Sequence, residues 1–205
     1  MEWAFFTSVA VFAFVMSVTP GPNNIMLLAS GAQFGFLRTV PHMFGILIGM
    51  ATLITSVLTG LGIVFSVFPV LYEVLKWLGV VYLLWLSWKI TFAPVSAGDS
   101  FESNELDNKA KPLLWWQAAL FQFVNPKAWM MAIGCVSTFS LAGEAYILSG
   151  IWIVVLFALM GFPAISIWAG LGVSIGRFLT NPIRKRVFNY VMGMATASTL
   201  FMVLS

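Results

Sequence analysis

The chain has 205 residues, 60% of them hydrophobic and only 8% charged, with a formal net charge of +3. A soluble domain carries about 25% charged residues, so these few charges cannot coat a water-exposed surface, and apolar runs of about 18 residues or more read as membrane spans. The small net charge, with no basic cluster interleaved with aromatics, gives no footprint for a nucleic-acid partner.

The first apolar stretch covers residues 3–28 and opens Met1-Glu2-Trp3, with no Lys or Arg ahead of it. A signal peptide needs a basic n-region and a small-residue cleavage site, so this segment is expected to stay as the first span. Thr19-Pro20-Gly21-Pro22-Asn23-Asn24 interrupts it. Proline lacks an N–H and clashes with the preceding turn, so two prolines around a glycine should break the helix. Asn23 or Asn24 should then cap a new half-helix running on from Ile25.

The second stretch covers 40–65. Gly31 and Gly35 before it, and Gly45 and Gly49 within it, are spaced four apart. Small residues at that spacing let helices approach closely, either inside one subunit or across a homodimer. The third covers 69–88, with Glu73 and Lys76 near its start. These two form a pair three apart on one face, or Lys76 snorkels to the interface. Trp77, Tyr82, Trp85 and Trp88, with Trp115 and Trp116, fit interfacial anchors.

A polar connection over 93–112 follows, holding Asp99, Glu102, Glu105, Asp107, Lys109 and Lys111. Its composition is that of a flexible linker rather than a domain. Beyond it lie stretches over 113–139, 146–171 and 187–204. The fourth is broken at Gln122-Phe123-Val124-Asn125-Pro126-Lys127. A charge at mid-bilayer costs about 2.5–3.5 kcal/mol on insertion scales, so Lys127 should face a cavity, a carboxylate or helix-end carbonyls.

Connections one–two, three–four and five–six carry Arg38, Lys89, Lys109, Lys111, Arg177, Arg184, Lys185 and Arg186, against Lys76 alone on the opposite side. The positive-inside rule puts those connections in the cytoplasm. The fold expected is therefore an all-α membrane protein of about six transmembrane helices. It forms one transporter domain over 1–205, with halves at about 1–92 and 113–205. Three spans per half make the halves inverted, with broken helices one and four in corresponding places.

Paired interruptions in inverted halves mark a transporter's central site. Interrupted backbone is tolerated in a bilayer only when buried in protein or lining a wet cavity. The candidate substrate-binding residues are therefore Thr19, Pro20, Gly21, Pro22, Asn23, Asn24, Gln122, Asn125, Pro126 and Lys127. The half-helix after Pro22 presents partial positive charge to a substrate carboxylate. Lys127 supplies a second positive group or changes protonation during the cycle. No Asp or Glu sits well inside a span, so backbone carbonyls at a break are left to take the substrate amine.

Cys135 is the only cysteine and His42 the only histidine. A lone cysteine excludes an intramolecular disulfide and a multi-thiolate metal site, and reads as a core residue. Neither a metal ligand set nor a nucleophile–base pair can be assembled, so no catalytic residue, metal or other cofactor is expected. A channel and a non-transporting membrane scaffold are the alternatives to a transporter.

With these residues in place, the chain resembles the lysine-exporter superfamily in its homoserine/threonine-exporter branch (LysE/RhtB). The resemblance rests on Thr19-Pro20-Gly21-Pro22-Asn23, on Gly35…Arg38 with Gly45 and Gly49, on Leu75-Lys76-Trp77-Leu78-Gly79…Tyr82-Leu83…Trp88-Lys89, and on Phe123…Asn125-Pro126-Lys127. It covers nearly the whole chain in the right order. Leu37-Arg38-Thr39-Val40-Pro41 departs from it, since a glycine often follows the arginine in the family. Phe121-Gln122-Phe123-Val124-Asn125 is similar to the cysteine and O-acetylserine exporters of that branch. The resemblance implies a multi-pass protein of the bacterial inner membrane that exports amino acids or derivatives from the cytoplasm, driven by the proton motive force. Its expected partners are the lipid bilayer and a small amino-acid substrate.

Overall fold

The computed structural model describes residues 2–61, 67–93 and 112–201. The charged part of the 93–112 connection and the end of the sixth stretch lie outside the described residues. Within them the chain is helical, with no strand. Eight helices follow in order: α1 (Trp3–Val18), α2 (Pro22–Phe34), α3 (Phe36–Leu58), α4 (Pro69–Thr91), α5 (Trp115–Val124), α6 (Pro126–Phe139), α7 (Ala145–Gly176) and α8 (Pro182–Ser198).

Three of the six expected spans meet the demands of length and apolarity in single helices: α3, the Glu73–Thr91 part of α4, and α7. α1 and α2, bent by 61° at their break, make a fourth only when taken together. The other two stretches fall short for physical reasons. The stretch over 113–139 is divided at Asn125 into helices of 10 and 14 residues. α8 has 17 residues and carries Arg184, Lys185 and Arg186 in its first turns. At 1.5 Å per residue it rises about 26 Å, less than the roughly 30 Å hydrocarbon core.

The 32-residue α7 is the hub, packed against α1, α2 and α3. α3 also packs on α5, and α4 on α8. Glycines set the closest crossings. A Cβ on Gly31 would run into the Ala169 carbonyl, and one on Gly172 into the Leu28 carbonyl, so α2 and α7 meet backbone to backbone. Likewise Gly45 and Gly49 of α3 face the Trp115 and Ala119 carbonyls of α5. Three of the four spaced glycines thus serve close packing inside the chain. The fourth, Gly35, joins α2 to α3 at φ +80°, a conformation other residues adopt only with strain.

Cys135 lies in the apolar core with Val9, Ala13, Leu53, Ile54 and Ile153. On the outside, α4 turns Val74, Trp77, Val81, Trp85 and Trp88 outward, an apolar flank of the kind lipid covers.

Candidate functional site

The first break leaves the carbonyls at the end of α1 without helical partners, and side chains take them one by one. Thr19 Oγ1 donates to Met16 O (2.9 Å). Asn24 Nδ2 donates to Ser17 O (2.9 Å) and Thr19 O (2.6 Å). Trp168 of α7 donates its indole N–H to Val18 O (2.9 Å). Lys127 Nζ donates to Thr19 O (2.5 Å), Thr19 Oγ1 (2.8 Å) and Pro20 O (3.2 Å). Of the three environments open to Lys127, the structure gives it two, helix-end carbonyls and a cavity.

The capping roles differ from those expected. Gly21, not an asparagine, stands at the N-cap of α2, and Asn23 and Asn24 fall inside its first turn. Asn24 points its amide back to α1 because carbonyls, not N–H groups, are the surplus there. The capping asparagine is Asn125, whose side chain accepts from the Lys127 N–H (3.2 Å) and starts α6.

The two breaks meet. Each second half-helix opens with proline at its first position, Pro22 in α2 and Pro126 in α6. The next residue of each crosses to the other break. Lys127 reaches the end of α1, and Asn23 Nδ2 donates to Gln122 Oε1 near the end of α5 (2.9 Å). Gln122 Nε2 returns a bond to Asn23 Oδ1 (3.2 Å) and a second to Ala118 O (2.9 Å). Gln122 and Asn125 are buried, and Lys127 is half-buried.

Between the breaks lies a cavity of about 40 Å³, room for roughly three waters at about 10–15 Å³ each. Gly21, Pro22, Asn23, Asn24, Gln122, Asn125 and Lys127 line it. Thr19 and Pro20 do not, and serve instead as acceptors for Lys127; Pro126 lies on the other side of its helix, in a shallow pocket beside Lys76. The remaining wall was not legible from the breaks. It comes from Met16 and Ser17 of α1, Ile46, Leu47 and Met50 of α3, Ala128 and Met131 of α6, and Phe157, Gly161 and Ile165 of α7. The last three are spaced four apart, one face of a helix, but α7 is apolar all round and its inner face is not marked in sequence. Trp168 was missed for the same reason.

Apolar helices with lipid-facing flanks, and two broken helices joined around a small polar-floored cavity, define a multi-pass membrane transport protein rather than an enzyme. The comparisons with known proteins agree. The family model of the LysE type translocators matches residues 14–204, and the chain belongs to that family. It is similar to the cysteine/O-acetylserine efflux protein of Escherichia coli strain K12, 32% identical over 161 residues that make up 77% of each chain. The proteins of the same description from Shigella flexneri (32%) and Salmonella typhimurium strain LT2 (31%) match over the same share. No solved structure matches the chain.

Proposed function

We propose that the chain exports small neutral amino acids or their derivatives from the cytoplasm across a bacterial inner membrane, in exchange for protons. Cysteine and O-acetylserine, named for its relatives, are the first substrates to test, with homoserine and threonine next. The reading includes six membrane crossings arranged as two inverted halves. The observation that carries it is the reciprocal crossing of Lys127 and Asn23. In each half, the residue after the helix-opening proline reaches the other half's break, as a two-fold relation between inverted repeats requires.

The mechanism follows from the inventory of acceptors. A substrate's α-ammonium needs oxygen acceptors, and among the described residues no Asp or Glu lines the cavity. Thr19 O and Pro20 O serve, and in this conformation the Lys127 ammonium holds them. A protonated Lys127 and a substrate ammonium therefore compete for the same carbonyls. When Lys127 gives up its proton to the cytoplasm it releases them to substrate; when it regains one from the outer side it displaces the substrate there. The substrate carboxylate faces the head of α2, where the helix presents partial positive charge, beside the Asn23 and Gln122 amides.

Everted membrane vesicles containing the protein should accumulate O-acetylserine against its gradient when their interior is acid, and stop when the pH gradient is collapsed. Downhill movement alone would indicate a channel. No movement of any amino acid tested would leave a scaffold.

A further inference from the structure

A second cavity, of about 70 Å³, lies beside the C-terminal part of α2, and His42 lines it. The histidine is 1% exposed, and neither ring nitrogen has a hydrogen-bond partner among the described residues. Buried polar atoms are ordinarily paired, and an orphan calls for an explanation. A neutral imidazole offers one donor and one acceptor, and both of those on His42, in this wall, are unspent.

The other polar groups around the cavity are oriented by their own bonds. Thr39 Oγ1 donates to Gly35 O (2.9 Å), so Ser30 Oγ donates to Thr39 Oγ1 (2.9 Å) and keeps its lone pairs for an acceptor role. Gln33 Nε2 donates to Asn189 Oδ1 (3.1 Å), which leaves the Gln33 carbonyl oxygen as an acceptor. Lys89 lines the cavity too, its ammonium 5.0 Å from the centre of the Trp85 ring. Among the described residues no Asp or Glu lines it. One cation, one imidazole and two neutral acceptors suit a carboxylate and an ammonium held a few ångströms apart.

The position of this cavity relates it to the first. Pro22, Met26, Ser30 and Gln33 follow one another at spacings of four, four and three, one face of α2. Pro22 lines the central cavity, whereas Met26, Ser30 and Gln33 line the second. At 1.5 Å per residue, Pro22 and Gln33 stand about 16 Å apart along the helix. Met26, which lines the second cavity and on α2 stands between Pro22 and Ser30, packs with Leu83, Leu86 and Phe121 as an apolar plug. The second cavity is bordered by Phe34, Lys89, Ala93 and Pro112, next to the connections that carry Arg38, Lys89, Lys109 and Lys111. That is the cytoplasmic end by the positive-inside rule.

We infer that this second cavity is a cytoplasmic loading site for the zwitterionic backbone of a small amino acid, with Lys89 and His42 taking its carboxylate and Ser30 and Gln33 its ammonium. The inference rests on the exporter reading above. A substrate held there is one plug away from the central cavity, and the flexible Met26 is the side chain that must turn aside.

The test uses everted vesicles, whose cytoplasmic face is outside, and O-acetyl-L-serine as probe. Lys89→Gln and His42→Leu should each raise the KM for uptake at least about tenfold while the maximal rate stays within about twofold, and His42→Gln, which restores a donor and an acceptor, should recover part of the loss. A second readout needs no substitution. His42 is the only histidine, so histidine labelled with ¹⁵N gives one pair of ring signals in the purified protein. Those signals should move saturably with O-acetyl-L-serine, and not with serinamide, which lacks the carboxylate. Unchanged KM in the Lys89 and His42 variants, or ring signals indifferent to saturating probe, would overturn the loading site while wild-type transport still upheld the exporter. Wild-type vesicles that move no amino acid would instead overturn the exporter reading.

Discussion

Replacing Lys127 with methionine separates the fold from the coupling. Methionine keeps an unbranched side chain and loses all three ammonium bonds, to Thr19 O, Thr19 Oγ1 and Pro20 O. The cost to stability is small because the acceptors are shared. Thr19 O retains Asn24 at 2.6 Å, and Thr19 Oγ1 still donates to Met16 O. Only the Pro20 carbonyl loses its bond, and Pro20 is exposed. An uncovered buried carbonyl costs about 1–3 kcal/mol, so an exposed one should cost at most about 1 kcal/mol. The effect on coupling is read separately, as a concentration ratio. One proton exchanged per substrate across a pH difference of one unit supplies about 1.36 kcal/mol, which sustains a tenfold substrate gradient. Everted vesicles with wild-type protein should approach that ratio for O-acetylserine. Lys127→Met vesicles, matched for protein amount, should settle near unity, since no titrating group then competes for the carbonyls. A methionine variant that still builds the gradient would refute the competition mechanism.

Gly21→Ala would place a Cβ 2.7 Å from Lys127 Cδ. The backbone there is extended, so only the flexible lysine has to yield: the thermal midpoint should hold while proton-driven export falls about tenfold. Asn125→Ala removes the cap of α6 and should cost about 0.5–2 kcal/mol, read as a lower unfolding midpoint in detergent. Gly172→Ala drives a Cβ into the Leu28 carbonyl, which is backbone and cannot move aside. Overpacking of that kind costs about 1–3 kcal/mol or more, whereas Gly170→Ala, with nothing within 4 Å, should leave the midpoint unchanged.

The breaks were legible because proline and glycine act on the backbone locally, and the sequence carries them at 20–22 and 126. Lys127 was legible because an ammonium among apolar residues must find partners. Which partners, and which residues cap which half-helix, was not legible. Asn23, Asn24 and Asn125 are the same residue type near the same kind of break, yet Asn24 donates to carbonyls of α1 while Asn125 accepts from a backbone N–H. Their local sequences do not say whether surplus donors or surplus acceptors lie nearby. The lengths of the half-helices were less legible. The Asn-Pro pair marks where the stretch over 113–139 breaks, but the apolar composition on either side does not say where each half-helix begins and ends, and the backbone shows helices of 10 and 14 residues. His42 offered no sequence signal beyond being single. Its significance depends on α2, α4 and the edge of the 93–112 connection meeting around it.

If the central cavity holds the substrate as proposed, it also decides what class of amino acid can leave. Its polar groups gather at the two breaks, and the rest of the wall is apolar, with Met16, Ile46, Leu47, Met50, Met131, Phe157 and Ile165 its larger side chains. A substrate whose backbone occupies the breaks must lay its side chain against that apolar wall. Cysteine and O-acetylserine bring thiol and ester groups that tolerate such a surface. Lysine or arginine would bring a second cation to a wall that has no carboxylate among the described residues and has Lys127 already nearby. An unpaired charge at mid-membrane costs about 2.5–3.5 kcal/mol, which at about 1.4 kcal/mol per factor of ten is a discrimination of about 60-fold to 300-fold. Unlabelled lysine should therefore inhibit O-acetylserine transport only at concentrations about a hundredfold above those at which cysteine inhibits. Equal inhibition by the two would mean that the apolar wall does not receive the side chain, and that the substrate sits in the opposite orientation between the breaks.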